Sequence, residues 1–490
     1  MVSIKAIIMG VRMSRLKMTS RCEIGARLIQ GYGRHCASRY FSFFILCGFS
    51  SFVSAGAWVV QPSITVTEMF TDNVDLTTAQ ETQDRITEIA PSLLLTRDGD
   101  RIQLSIDYEM QGVYYDKSAE NDSSFSQVNA ALDSELVDEL FYTELLVTKD
   151  QQIVSPLGPV VSNNYIVTDN RTDSTAFQLS PYLRHRLTSK VAGEIRYRFN
   201  KIDYSDGAID DSKSDEVILD IGTLGTDGGG EWRLQYLHNT IKYDSGVENV
   251  FSISSLDVVE YILPRFGLIA SLGYEDNEYE VLPGQEEPKG GVWAVGFRWA
   301  PTARRNIELR TGERFFGKTY SLNMTGRERQ LTWSMAYSEL PMSTGQLQLE
   351  QLTSAQGQVS SLNTAVFIRK YFTTMAAIEL DRGTLSLSVF KDRRDYEESS
   401  EGEVTEGALL AIELQPFSRT RLIFENNWHK QSFRAQQRED QVNESDIGLE
   451  YMISPRAMGA LSVGHVKRDS TNAIFEYSSN VIVASLEYAF

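Results

Sequence analysis

Beyond residue 47 the chain has no cysteine; the three in its 490 residues are Cys22, Cys36 and Cys47. A body without thiols can hold no thiolate metal site and no disulfide framework. It suits an oxidising envelope, where a stray cysteine risks mispairing. Long apolar runs are missing as well. Past residue 60 no predominantly apolar stretch reaches the roughly 18 residues that a membrane-crossing helix requires. Histidine is scarce, and none of His185, His238, His429 and His465 lies in an H-x-x-H or H-E-x-x-H context. His185, between Arg184 and Arg186, reads as a solvated turn residue. The sequence therefore names no catalytic, cofactor-binding or metal residues, and an outer-membrane enzyme is only a remote alternative. Positive charge is in deficit, with 47 basic against 66 acidic side chains and a net charge of −19. Such a surface repels a polyanion, so nucleic-acid binding is not expected.

The charge is unevenly divided. Residues 1–40 carry eight basic side chains and one acid, a net of +7, which leaves −26 for the rest of the −19 chain. All three cysteines fall on the basic side of this boundary. Arg39 is followed by the apolar run Phe41–Val53 and then by Ala55-Gly56-Ala57. Small residues at Ala55 and Ala57 fit the two pockets of signal peptidase. The reading is a signal peptide over 1–57, with a long basic region that leaves Met13 or Met18 open as the start, and a barrel over 58–490. An uncleaved helix over Phe41–Val60 is the alternative, but it would carry four serines, two glycines and the cleavage site itself.

What recurs beyond the leader is alternation with period two. In Ile102–Gln111 the even positions are Ile102, Leu104, Ile106, Tyr108 and Met110, and every odd one is polar. Val191–Asn200 repeats this, with Val191, Ile195, Tyr197 and Phe199 against Glu194, Arg196, Arg198 and Asn200. Ten residues of alternation set one face in an apolar medium and the other in a polar one. Soluble sandwiches alternate too, but their strands average about five or six residues, whereas a tilted bilayer strand needs about nine to eleven. Aromatics near strand ends, such as Tyr114, Tyr115, Trp293 and Trp299, suit interfacial girdles.

Two kinds of connection alternate. One is short and combines proline with arginine: Ser180-Pro181-Tyr182-Leu183-Arg184, Leu263-Pro264-Arg265, Ala300-Pro301-Thr302-Ala303-Arg304, Gln415-Pro416-Phe417-Ser418-Arg419 and Ser454-Pro455-Arg456. Proline cannot donate to a ladder, so it marks places where pairing stops. The other is longer and mostly acidic: 116–122, 151–172, 205–214, 283–290, 396–404 and 432–445. Asp98-Gly99-Asp100, Asp206-Gly207 and Asp227-Gly228-Gly229-Gly230 read as tight turns, although weak calcium binding at acidic loops stays open. The last strand carries Ile482, Ala484, Leu486, Tyr488 and Phe490 in one register, the pattern of a C-terminal insertion signal for the barrel-assembly machinery. It must descend to a periplasmic C-terminus, which puts the proline turns on the periplasmic side and the acidic loops outside. The expected fold is all-β, a single antiparallel transmembrane β-barrel of about 18–24 strands, with a count near 24. The segment 345–383 is ambiguous, and Leu380-Asp381-Arg382-Gly383 is a turn or a bulge.

Several phrases occur in a familiar order. Thr71-Asp72-Asn73 closes the first strand, Glu135-Leu136-Val137-Asp138-Glu139-Leu140-Phe141 makes an early hairpin, and Ser155-Pro156-Leu157-Gly158 opens a long loop. Trp299-Ala300-Pro301-Thr302-Ala303-Arg304, Arg314-Phe315-Phe316-Gly317-Lys318-Thr319-Tyr320 and Ala336-Tyr337-Ser338-Glu339 follow. Over most of 62–490 the chain resembles the PEP-CTERM-system-associated outer-membrane β-barrel family, which accompanies exosortase and exopolysaccharide genes in Gram-negative bacteria. The resemblance implies an integral outer-membrane protein of an exopolysaccharide and protein-sorting system, but carries over no binding residue. The end Leu486-Glu487-Tyr488-Ala489-Phe490 lacks the sorting signal itself.

Polar-face charges Glu194, Arg196, Arg198, Glu308, Arg310, Arg314, Lys391 and Arg393 are candidate lumen residues. They read either as a merely wet lumen or as a ring of mixed charge that shapes passage of a polysaccharide. The expected function is a channel or export-linked porin-like barrel; the alternative is a non-conducting structural barrel that anchors periplasmic partners. Expected partners are outer-membrane lipid and lipopolysaccharide, the assembly machinery, and exopolysaccharide or export components. Edman sequencing of the membrane-extracted protein should begin at Trp58 or within a few residues. A mature chain that keeps Phe41–Val53 contradicts the two-part division.

Overall fold

In hydrocarbon no water satisfies backbone N–H and C=O groups, so a chain of alternating strands can cross only if its hydrogen-bond ladder closes on itself. The computed structural model describes residues 58–78, 81–160, 168–224, 230–353, 361–399 and 402–490. The expected leader, with Ala55 and Ala57, lies outside them.

The described chain forms 22 strands in one sheet. The first eleven are β1 (Trp58–Thr71), β2 (Asp84–Asp98), β3 (Ile102–Tyr115), β4 (Ser123–Val137), β5 (Phe141–Ile153), β6 (Arg171–Arg186), β7 (Val191–Tyr204), β8 (Ser212–Thr223), β9 (Glu231–Tyr243), β10 (Glu248–Leu263) and β11 (Phe266–Asp276). There follow β12 (Lys289–Thr302), β13 (Arg305–Arg314), β14 (Gly317–Arg327) and β15 (Leu331–Ser343), then a helix, α1 (Thr344–Thr353). The rest are β16 (Val366–Leu380), β17 (Gly383–Tyr396), β18 (Gly402–Phe417), β19 (Thr420–Phe433), β20 (Arg438–Ser454), β21 (Ala457–Ser470) and β22 (Tyr477–Ala489). Each strand pairs antiparallel with its neighbours in sequence, and β1 pairs with β22 from Ser63↔Ala489 to Thr71↔Val481. Phe490 N–H donates to the Pro62 carbonyl at 3.0 Å and finishes the seam.

The alternation sets the two faces. Ile195 and Tyr197 on β7, Leu272 and Tyr274 on β11, and Leu461 and Val463 on β21 point outward and are exposed. A contiguous apolar belt of this kind is a liability in water and a requirement in lipid. The C-terminal register is on this face, with Ile482, Leu486 and Tyr488 exposed and Phe490 68% exposed. Arg196, between Ile195 and Tyr197, points inward and is 2% exposed.

Loop lengths fix the ends. Odd-numbered strands run from the Trp58 end to the other, where the long connections lie; the end that holds Trp58 and Phe490 has the short ones. Short periplasmic turns and long outer loops are the rule for such barrels. The turns at 264–265, 303–304, 418–419 and 455–456 are periplasmic, as the prolines indicate. Leu380 pairs with Gly383, so that ambiguous segment is a true turn.

The count of 22 lies within the expected 18–24, and the chain after β15 enters α1 instead of a further hairpin. Two expectations need correction. Pro181 lies inside β6, and the turn comes at 187–190. There the ladder to β7 skips from Leu179↔Phe199 to Tyr182↔Arg196, because proline has no N–H to give. The segment 432–445 is no long loop: β19 and β20 run through it and leave only 434–437 as a turn.

A 14-residue strand, tilted as closure demands, rises about 35 Å, more than the apolar band of about 25 Å. The strand tops therefore stand outside the hydrocarbon. A protease site inserted after Glu398 should be cut on intact cells, and one between Pro455 and Arg456 should be protected. Reversed accessibility would mean the barrel is upside down.

Candidate functional site: the inner wall and its inward segments

A barrel of 22 strands is too wide for wall side chains to fill, so what lines and crosses the lumen decides what passes. In the periplasmic half, each arginine named here is held between carboxylates. Arg196 pairs with Glu144 at 2.6 Å and Glu194 at 2.9 Å, and its guanidinium lies 3.8 Å from the Tyr182 ring centroid. Arg298 pairs with Glu231 at 2.7 Å and Glu308 at 2.9 Å, while Arg310 pairs with Glu308 at 2.8 Å and Asp257 at 3.1 Å. Arg421 bridges Glu413 and Glu450, both at 3.1 Å. Period two and antiparallel register bring these residues into rows, since opposite residues share a face. Glu425 and Asp446 are opposite one another across β19 and β20. These two, with Asp133 and Glu487, have no ion-pair partner among the described residues.

The extracellular half is built differently. The segment after β5 turns inward and reaches the wall about a quarter of the way round the barrel. Arg438 donates to the Leu157 carbonyl at 2.9 Å, and Arg468 donates to the carbonyls of Pro156, at 3.2 Å, and of Gly158. The Tyr477 hydroxyl donates to the Val160 carbonyl at 2.6 Å. These anchors belong to β20, β21 and β22, separated from β5 by four to six strands. Asp440 holds both guanidiniums, at 2.7 Å from Arg438 and 2.5 Å from Arg468. Asn170 closes the base of the segment, where it donates to the carbonyls of Ser155 and Pro159.

A second inward segment comes from β15. Ser343 and Gln346 form a reciprocal cap, with Gln346 N–H donating to the Ser343 hydroxyl and Ser343 N–H to the Gln346 side chain. This capping box starts α1. Gln348 of α1 hydrogen-bonds the Tyr204 hydroxyl on β7, and Arg369 donates to Glu350 at 2.8 Å and pairs with Asp392. Asn249 on β10 donates to the Thr364 carbonyl, and Leu362 N–H donates to the Val154 carbonyl at 3.0 Å, which joins the two segments. Inward apolar residues pack around them: Met342, Leu347 and Phe367 in one cluster, and Ile241, Tyr243, Phe251 and Val366 in another. A third cluster seats Val74 and Leu76 of the β1–β2 connection against Val113, Val466 and Tyr477. Above the wall the loops also meet, as Leu282 N–H donates to the Glu397 carbonyl. Burial and the charge of Asp395 raise the Glu397 carboxyl.

Of the charges expected in the lumen, Glu194, Arg196, Arg198, Glu308, Arg310 and Arg314 are on the inner wall; Arg198 pairs with Glu216 and Arg314 with Glu275. Lys391 and Arg393 are not. They share the face of exposed Leu387, whereas Asp392 and Arg394 point inward and are buried. Polarity misleads there because the top of β17 is above the hydrocarbon, so an outward side chain can be charged. The reading of the sequence also missed the inward segments. Ser343-x-x-Gln346 was a legible helix start; the arginine-to-carbonyl anchors join residues some 300 positions apart and leave no local signal.

The family model described as "Putative beta-barrel porin 2" matches residues 53–136, which end within β4. No curated protein matches the chain in sequence. Among solved structures, 88% of this chain aligns with 80% of the siderophore receptor PirA from Pseudomonas aeruginosa, at 6% identity and a TM-score of 0.46. The FrpB iron transporter from Neisseria meningitidis aligns over 88% of this chain and 82% of its own, at 10% identity and a TM-score of 0.48. OpdK of Pseudomonas aeruginosa, solved with vanillate, aligns over 88% and 99%, at 10% identity and a TM-score of 0.36. With its closed sheet, apolar outer belt and polar inner wall, the chain is a porin-like outer-membrane β-barrel.

Removing both anchors, in Arg438→Ala with Arg468→Ala, leaves several buried carbonyls without donors, at about 1–3 kcal/mol each. Externally added protease should then cut within Val154–Val160 far faster than in wild type, while the barrel stays heat-modifiable on gels. Equal cutting rates would mean that the anchors do not hold the segment.

Proposed function

We propose that the protein is a constricted diffusion channel of the outer membrane that prefers cations. The observation that supports this reading is the inner wall: the arginines named above are paired with carboxylates, while Glu425, Asp446 and Glu487 have no cationic partner among the described residues. Unpaired charge on a low-dielectric wall sets the sign of the ions that concentrate there. The inward segments at the extracellular end narrow the path and favour small solutes.

The finer reading, service to an exopolysaccharide and PEP-CTERM sorting system, is supported only by the order of phrases from Thr71-Asp72-Asn73 to Ala336-Tyr337-Ser338-Glu339. The anionic wall opposes a polyanionic cargo, so within that system a neutral polymer or small cations fit better. Catalysis forms no part of the proposal.

The test is a planar bilayer under a salt gradient. Wild type should give small conductance steps and a reversal potential on the cation side. Glu425→Gln with Asp446→Asn should shift that potential toward zero by removing the opposed pair. Anion preference, or a potential unmoved by the double variant, overturns the selectivity. Absence of conductance in wild type would favour a structural barrel that anchors periplasmic partners.

A further inference from the structure

The segment from Val154 to Val160 is stapled from within and meets the wall through its oxygens. Asn170 accepts from Ser155 N–H and donates to the carbonyls of Ser155 and Pro159. Gly158 N–H turns back to the Ser155 carbonyl, and Leu157 N–H to the Ser155 hydroxyl. Pro156 and Pro159 have no N–H to give. What faces the wall is therefore a run of acceptors, the carbonyls of Pro156, Leu157, Gly158 and Val160. None of the three apolar clusters in the lumen includes a residue of this segment. Apart from Leu362 N–H at the Val154 carbonyl, two guanidiniums and one hydroxyl hold it, among the described residues.

The receiving side keeps its shape by contacts of its own. Asp440 lies 2.7 Å from Arg438 and 2.5 Å from Arg468 and pins both forks. The Arg438 guanidinium also stands 3.5 Å from the ring centroid of Phe475 and 5.7 Å from that of Phe433. Arg438 is 7% and Arg468 2% exposed. Elsewhere on the inner wall Arg196, Arg298, Arg310 and Arg421 each meet two carboxylates; here two arginines share one. Glu444, further down β20, pairs with neither of them. One positive charge is left, and carbonyl dipoles and ring faces answer it. The Arg468 Nε has no hydrogen-bond partner. A buried charge gains most from a full opposite charge that also accepts hydrogen bonds. A carbonyl is the weaker ligand for a guanidinium fork, which matches a carboxylate or phosphate with two parallel bonds.

We infer that Arg438, Arg468 and Tyr477 form a binding site for a small oxyanion, a carboxylate or a phosphate, which the segment's own carbonyls occupy as an internal competitor. An oxyanion that enters from the extracellular side takes the two guanidiniums, and the segment, with little else to hold it, leaves the wall. The site is thus a chemical latch on the constriction. It lies above the carboxylates of the periplasmic half, so the anion acts without travelling past them. As a control of passage the latch rests on the channel reading; as a binding site it does not, and the test reads the site alone.

The test uses the full-length barrel in mild detergent, with inorganic phosphate, succinate or chloride at constant ionic strength. The rate at which subtilisin cuts within Val154–Val160 reports release of the segment. In wild type, phosphate or succinate should raise that rate saturably, by about tenfold, and chloride should not. Release by one oxyanion alone assigns the site to that chemistry. Asp440→Asn removes the internal carboxylate that competes for both forks, so half-maximal release should need about tenfold less oxyanion. In Arg438→Ala with Arg468→Ala, where the segment is already free, no anion should change the rate. A wild-type rate unmoved by either oxyanion, or raised equally by chloride, overturns the proposal. So does an unchanged half-maximal concentration in Asp440→Asn, or acceleration that persists in the double alanine variant. The comparison of anions on wild type is decisive even if a variant fails to fold, and none of these outcomes depends on conductance.

Discussion

The hydrogen-bonded seam between β1 and β22 is the contact on which everything else rests. An open sheet in hydrocarbon would leave two strand edges without partners, at several kcal/mol for each unsatisfied backbone group. Nine residue pairs, from Ser63↔Ala489 to Thr71↔Val481, remove that cost. The terminal carboxyl side of the chain is therefore structural: Phe490 hydrogen-bonds to Pro62 while its ring lies against Tyr488 on the lipid face.

Closure gives one strand two solvents, and each charged side chain is then sorted by the solvent it meets. Arginine serves the lumen, where its fork can engage two carboxylates at once, as Arg196 and Arg298 do. It also spans gaps to backbone carbonyls, as Arg438 and Arg468 do when they hold the Leu157 segment. Lysine, together with arginines such as Arg85 and Arg393, serves the outer rim. The same closure makes a space that wall side chains cannot fill, and the protein narrows its outer half with its own connections.

Much of this was legible in the sequence, for a physical reason. Where hydrocarbon lies on one side, polarity reports direction without ambiguity, so Glu194, Arg196, Glu308 and Arg310 were assigned to the correct face. Where strands rise above the membrane both faces are wet, and Lys391 and Arg393 were misassigned. Proline marked four of the periplasmic turns but failed at Pro181, where a missing N–H interrupts the ladder without ending the strand. The inward connections were the least legible. Their apolar residues, such as Leu347 and Phe367, face the lumen in the way core residues face a soluble interior. Nothing in local alternation separates such a position from one that faces lipid.

The central claim is that the outer half of a closed barrel is crossed by the chain's own connections. The absence of cysteine beyond Cys47 permits a direct measurement. Spin labels placed at Leu157 and Thr471 should report a short separation by pulsed dipolar spectroscopy, because Leu157 is bound to the wall beside β21. A broad distribution centred on distances comparable to the barrel's full width would mean that the segment extends outward from β5, and would contradict the account.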